Sequence, residues 1–232
     1  MKKIIRSEDR GLADHGWLKS HHSFSFADYY NPSMMGFRSL RVINEDRVAG
    51  GHGFPTHPHR DMEIITFMVG GILEHQDTMG HKEQILPGDV QRMSAGSGVR
   101  HSEMNPSPRQ EAHLLQIWIT PDVEGIKPEY EQRSYADAMK AAPLVLVTSK
   151  DGRSGSMKIH QDADLWVGNL KSEVKADFVA KSGRNLWLQM VKGDLKLADE
   201  TLAAGDAVAI QGENQLSFIA LKDSQFLLFD LA

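Results

Sequence analysis

His57, His59 and Glu63, followed some forty residues later by His101 and Glu103, are the side chains of this chain whose types and spacing suit a metal ion. The first three fall in Gly51-x5-His57-x-His59-x3-Glu63-x6-Gly70, and the last two in Gly96-x-Gly98-x2-His101-x-Glu103-x-Asn105. Successive side chains of a β-strand point to opposite faces, so residues two apart share a face. His57 and His59 therefore project together, joined by Glu63 if the strand continues, and so do His101 and Glu103. Two such strands side by side would bring three imidazoles and a carboxylate to one point. A His-x-His pair alone means little among 11 histidines. The fixed offsets to Glu63 and the flanking glycines make a chance match rarer than about one in a thousand. Spacing permits either Glu63 or Glu103 as the carboxylate ligand.

The elements that must position these groups read as β-strands. Residues 38–45, 62–69, 90–93, 112–119 and 185–191 are short runs rich in Val, Ile, Leu, Phe and Trp. Gly70-Gly71, Pro87-Gly88-Asp89, Gly96-Ser-Gly98, Gly193-Asp194 and Gly205-Asp206 mark turns between strands. Many short strands between such turns indicate an all-β sandwich or barrel. Only Tyr135 to Ala142 has good helix formers, and Pro143 ends it. Phe67-Met-Val-Gly-Gly71-Ile-Leu-Glu-His and Ile85-Leu-Pro-Gly-Asp-Val find an echo in Gln189-Met-Val-Lys-Gly193-Asp-Leu-Lys-Leu and Leu202-Ala-Ala-Gly-Asp-Ala. The repeat predicts two similar β units, residues 1–125 and 126–232, with Pro121 to Pro128 as linker. No histidine stands in the second copy at Val174 to Lys181 or Gln211 to Leu216, so metal is expected in the first unit alone.

Composition narrows the function classes. A net charge of −5 and a pI near 6.1 give no basic surface for nucleic acid. Cysteine is absent, which excludes disulfides and thiolate ligands and leaves imidazole and oxygen donors. No apolar run approaches a membrane span, and the first residues lack the apolar core of a secretory signal, so a cytoplasmic location is expected.

The wider sequence resembles the pirin family of bicupins, whose two cupin motifs are the segments described above. The resemblance also rests on His15-Gly-Trp-Leu, Ser23-Phe-Ser-Phe-Ala-Asp-Tyr-Tyr-Asn-Pro, Gly36-Phe-x-Ser-Leu-Arg-Val-Ile-Asn and His75-Gln-Asp, and it is densest from residue 10 to 120. It implies two cupin-type β-barrels in one chain, the N-terminal one holding a divalent metal. Iron(II) is the expected ion, with zinc, nickel, manganese, copper or cadmium also accommodated by such ligands. The family's ligands carry over to His57, His59, His101 and Glu103, which moves Glu63 out of the metal shell. Bacterial members are associated with quercetin 2,3-dioxygenase activity, which implies a flavonol or related aromatic enol and dioxygen as substrates and carbon monoxide as a product. Glu103 would accept the proton of the flavonol 3-hydroxyl, with Glu63 as the fallback base. Animal members are nuclear transcription cofactors, so the competing reading is a non-enzymatic, metal- or redox-responsive regulator that binds a protein partner. A monomer is expected, since the second barrel can supply the packing surface that single cupins obtain by dimerising.

The remaining histidines read as structural. His75 and His81 flank a hairpin and are expected to be solvated, His21 and His22 to pack on the barrel, and His113 to be a satisfied core or rim residue. Met62, Phe67, Met93 and Trp118 are expected in the core, with a cavity wall as the alternative.

Overall fold

The computed structural model describes residues 1–232, almost all of them in strands and the turns that join them. The chain divides into two compact units. One comprises residues 11–136 and 159–161, the other residues 1–10, 137–158 and 162–232. In chain order the strands are β1 (Lys2–Ile5), β2 (Gly11–Asp14), β3 (Leu18–His22), β4 (Leu40–Val48), β5 (Gly53–His59) and β6 (Glu63–Gly70). There follow β7 (Leu73–Asp77), β8 (Lys82–Ile85), β9 (Asp89–Ser94), β10 (Val99–Met104), β11 (Ala112–Ile119) and β12 (Glu129–Ser134). A single short helix, α1 (Ala136–Ala141), precedes Pro143. The rest are β13 (Leu144–Ser149), β14 (Met157–Lys158), β15 (Ala163–Leu170), β16 (Lys175–Val179), β17 (Asn185–Lys192) and β18 (Asp194–Leu197). β19 (Glu200–Ala203), β20 (Ala207–Gln211), β21 (Gln215–Ala220) and β22 (Ser224–Leu231) complete the chain.

The first unit joins a seven-stranded sheet, β12-β9-β6-β11-β4-β3-β2, to a four-stranded sheet, β5-β10-β7-β8. Leu18, Val48, Met68 and Leu114 of the large sheet pack with Leu73 and Ile85 of the small one, closing the two over a shared core. The second unit repeats the plan with sheets β1-β20-β17-β22-β15-β13-β14 and β16-β21-β18-β19. Sequence pattern explains the difference between large and small sheets. β6 and β22 are buried on both faces and largely apolar, and β9 is equally buried although it carries Asp89, Gln91, Arg92 and Ser94, whereas β10, β16 and β21 alternate buried with more exposed positions.

The internal repeat survives down to single turns. Asp89 Oδ2 accepts from the Leu86 N–H at 2.9 Å, and Asp206 Oδ2 accepts from the Ala203 N–H at 3.1 Å, three residues back in each case. Gly71 and Gly193 occupy matching hairpin turns with φ of 74° and 79°. A Cβ at either would lie 2.3 Å from a backbone oxygen, of Glu111 or of Asp223. Only glycine fits both demands.

The structure draws the division between units elsewhere than at residue 125. Glu129–Ser134 pairs antiparallel with β9, so Pro121 to Pro128 is a loop within the first unit, which runs on to residue 136. The N-terminal β1 pairs with β20 and belongs to the second unit. In that sheet β1 fills the edge place that β12 fills in the first. Backbone hydrogen bonding at the sheet edge, invisible to composition, assigns both segments. No helix is long and apolar enough to cross a membrane.

Candidate metal centre

β5 is an edge strand, which lets it accommodate Pro55 and Pro58 without losing ladder bonds. Its pairing with β10 places His57 directly opposite His101, and His59 opposite Val99. Ring centroids lie 4.5 Å apart for His57 and His101, 4.8 Å for His57 and His59, and 4.9 Å for His59 and His101. One nitrogen from each ring falls within 4.8 Å of the other two. The ring orientations suit a cation. Pro55 O accepts from His57 Nδ1 at 2.8 Å, which leaves His57 Nε2 with its lone pair free. His101 Nδ1 is engaged with His75 at 3.4 Å, while His101 Nε2 is buried and has no hydrogen-bond partner. A buried, orphaned nitrogen acceptor beside two other imidazoles fits a divalent ion bound through nitrogen. Burial, with the neighbouring imidazoles, pushes His59 down to about 4 and His101 down to about 3, so both rings are neutral at neutral pH.

Glu103 keeps regular register with His101 along β7, and its carboxylate is met from the large sheet. It groups with His101 and His75 and does not fall into one cluster with all three of the other imidazoles. Gln116 Nε2 donates to its two oxygens at 3.1 and 2.8 Å, and the Thr66 hydroxyl donates to Oε1 at 3.3 Å. Gln116 and Thr66 belong to a polar row that crosses the inner face of the large sheet. The row runs through cross-strand neighbours His22, Asn44, Gln116, Thr66 and Gln91 on five successive strands. His22 Nδ1 bonds Asn44 Oδ1 at 2.8 Å, and Gln91 reaches His75 at 3.4 Å. The matching row of the second unit reads Trp166, Leu228, Leu188 and Val208. In the places of β5 and β10, that unit packs Ala176, Phe178, Leu216, Phe218 and Ala220 into its apolar core.

Glu63 is not brought to the cluster. The strand of His57 and His59 ends at His59, and a turn through Asp61 at φ 46° starts β6 in the other sheet. There Glu63 is buried and accepts from Ser94 Oγ at 2.8 Å. Burial raises its pKa, against the pull of Ser94, His160 and Arg92.

His75 also departs from the sequence expectation of a solvated hairpin residue. It is 0% exposed, shares the inner face of β7 with Leu73 and Asp77, and donates through Nε2 to Asp77 Oδ2 at 3.0 Å. Its Nδ1 then remains an acceptor for His101 Nδ1–H, which fixes the tautomer that frees His101 Nε2. Burial pushes the Asp77 carboxyl up, and hydrogen bonds from His75 and His81 more than offset it, holding it below the usual range. Tyr130 stacks on both His75 and His81, at 4.7 and 4.5 Å. His81 is part-exposed, His52 is exposed and stacks on Trp17, and His113 is satisfied by Glu45 at 2.9 Å. Sequence reasoning places His75 in solvent and passes over Gln91, Thr66 and Gln116. For Thr66 and Gln116 the available signal was a polar residue inside a largely apolar strand; β7 and β9 are polar enough to hide His75 and Gln91.

A cavity of about 430 Å³ opens onto the cluster, within the range of small-molecule sites. His57, His59, Glu103 and Gln116 supply its polar end, and Trp17, Phe26, Phe54 and Trp118 its apolar walls. Trp118 meets His59 edge-on at 5.0 Å and Phe26 at 5.4 Å. Phe67 and Met93 are core residues instead.

Two repeated β-barrels, with histidines gathered inside the first and apolar residues in their place in the second, define a bicupin with one candidate metal centre. The chain belongs to the pirin family. Residues 5–119 match the family described as Pirin, and residues 146–231 the one described as quercetinase C-terminal cupin domain. Over 228 residues it is 49% identical to a protein of Escherichia coli named quercetin 2,3-dioxygenase, covering 98% of this chain and 97% of that one. A pirin-like protein of Caulobacter vibrioides is 38% identical over 223 residues, covering 96% of each. The crystal structure of YhhW from Escherichia coli superposes with a TM-score of 0.96 at 46% identity, covering 100% of this chain and 98% of that one. A second structure, of the bacterial pirin YhhW in complex with nickel(II), superposes with a TM-score of 0.94 at 47% identity, covering 100% and 99%.

Proposed function

We propose that this chain is a metal-dependent dioxygenase that opens flavonols such as quercetin with dioxygen and releases carbon monoxide. The observation that supports it most directly is the union of three imidazoles, two with Nε2 free by hydrogen bonding, with an aromatic-walled cavity. His57, His59 and His101 would hold the ion, with Glu103 as fourth ligand, and iron(II) is the native metal proposed. The nickel-bound relative supports a divalent ion at such a centre. The metal belongs to the first unit alone, because the second offers only apolar side chains at the corresponding places.

A bound divalent ion would supply Lewis acidity, lowering the pKa of a coordinated enol. The chain's own residues do the rest. Glu103 accepts the proton of the 3-hydroxyl, while Gln116 and Thr66 hold its carboxylate toward the cavity. Each carboxylate oxygen has two lone-pair sites, so these bonds leave room for that proton. Trp118 and Phe26 flank the flat ring and keep bulk water from the opened ring.

Anaerobic loading with iron(II), then quercetin and oxygen, tests the proposal by following flavonol absorbance and carbon monoxide together. Stoichiometric carbon monoxide, absent in His101→Ala, is the expected result. Turnover in a metal-free variant would refute it, and metal binding without turnover of any flavonol would favour the regulator reading.

A further inference from the structure

His75-Gln76-Asp77 lies outside both metal-binding motifs, yet the topology sets it against the second of them. β7 runs antiparallel to β10, with His75 opposite Glu103 and Asp77 opposite His101. The Asp77 side chain is fully buried. Its Oδ1 accepts from the backbone N–H of Met79 at 2.9 Å and of His81 at 3.1 Å, within the turn that joins β7 to β8. Its Oδ2 accepts from His75 Nε2 at 3.0 Å, and His81 Nδ1 donates across both oxygens at 3.1 and 3.0 Å. A chain of hydrogen bonds therefore runs from part-exposed His81 through Asp77 and His75 to His101.

The carboxylate sets the direction of the bonds inward from it. An ionised carboxylate can only accept, so His75 carries its proton on Nε2 and presents a bare Nδ1. Gln91 Nε2 and His101 Nδ1 each approach that atom at 3.4 Å, as donors. His101 is then protonated on Nδ1, and its Nε2 keeps the lone pair that a metal ion needs. The device is confined to the unit that has the histidines. His75 stands four residues after the turn glycine Gly71, and the same step from Gly193 reaches Leu197, packed in the apolar core of the second unit.

We propose that Asp77 is a positioning residue for the metal centre: acting through His75, it sets the tautomer of His101 and so the nitrogen offered to the ion. This role rests on the reading of His57, His59 and His101 as metal ligands and requires no particular substrate. It entails an inversion that packing alone would not produce. In Asp77→Asn the two backbone N–H groups hold the amide oxygen in the place of Oδ1. The amide nitrogen then takes the place of Oδ2, 3.0 Å from His75 Nε2. A donor there reverses each bond down to His101 and leaves that ring protonated on Nε2. Asp77→Ala also removes the turn bonds but lets His75 take either tautomer. The nearly isosteric variant should therefore bind metal more weakly than the truncated one.

Nitrogen-15 NMR of the metal-free protein at neutral pH reads the tautomers directly, with the His101 signals assigned by their loss in His101→Gln. Wild type should show Nδ1–H on His101, and Asp77→Asn should show Nε2–H. Nickel(II) affinity, from competition with a chromophoric chelator, should fall about ten- to a hundredfold in Asp77→Asn and less in Asp77→Ala. In a His75→Leu background the connection is cut, so adding Asp77→Asn should change nickel(II) affinity by less than about twofold. Nε2–H on His101 in wild type would overturn the proposal without any variant having to fold, and nickel(II) binding by that same protein would leave the ligand assignment standing. An unchanged His101 tautomer in Asp77→Asn, or weaker nickel(II) binding in Asp77→Ala than in Asp77→Asn, would assign Asp77 to the turn alone and also overturn it. Failure of wild type to bind nickel(II) would bring down the metal-centre reading and this role together.

Discussion

Replacing Gln116 with Leu tests whether the polar row holds the metal centre or merely satisfies a buried charge. The variant keeps an apolar neighbour for the cavity but removes the N–H donor of Glu103. Both contacts to the carboxylate, at 3.1 and 2.8 Å, come from the same nitrogen, so they amount to one strong charge-assisted bond. Such bonds contribute about 1.5–3 kcal/mol. Thr66 loses the Gln116 oxygen at 3.1 Å but keeps Glu103 at 3.3 Å, and adds little. The expected loss is about 2 kcal/mol, and at about 1.4 kcal/mol per factor of ten this is some thirtyfold in metal affinity. That falls inside the ten- to hundredfold loss usual for groups that orient metal ligands. A competition titration against a chromophoric chelator measures it, with the melting temperature of the metal-free protein recorded alongside. A melting temperature that drops while metal affinity stays within twofold of wild type would refute the reasoning, because Gln116 would then serve the fold and not the centre.

Three further outcomes are expected. His59 and His101 titrate near 4 and 3 in the folded protein against 6.5 for a free histidine, so the unfolded chain takes up protons that the metal-free native state does not. Stability of the metal-free protein should fall as pH drops below about 6.5, and urea midpoints should show the advantage of wild type over His101→Gln diminishing from pH 7 to 4. Asp46 has the opposite sign: its folded pKa near 7 lies above the free value of 3.8, so its contribution is retained below 3.8 and lost as pH rises toward 7. Asp46→Asn should therefore gain stability relative to wild type between pH 4 and 7, and a pH-independent difference would contradict the burial argument. Gly71→Ala and Gly193→Ala should each lose about 1–3 kcal/mol in urea unfolding, since both positions combine positive φ with a carbonyl in the way of a side chain. A neutral result at either turn would show that the hairpin relaxes without cost.

Much of this protein was legible from local pattern. Strand periodicity announced an all-β chain, and 112–119 coincides with β11 because alternation and turn glycines are properties of neighbouring residues. The Gly-Asp turns revealed the internal repeat for the same reason. The short spacing of His57 and His59 also guaranteed a shared face wherever the strand lay. What sequence alone left open depended on partners distant along the chain. Glu63 shares the face of His57 and His59 only if their strand continues, and a turn at Asp61 carries it into another sheet. His75 looked like a hairpin residue, and only the pairing of β7 with β10 set it between Asp77 and His101. The edge pairing of β1 and β12 likewise moved the division between units. Residue spacing determines which side chains share a face. Which faces meet, and which polar atoms are left without water or a partner, is decided only when the sheets close.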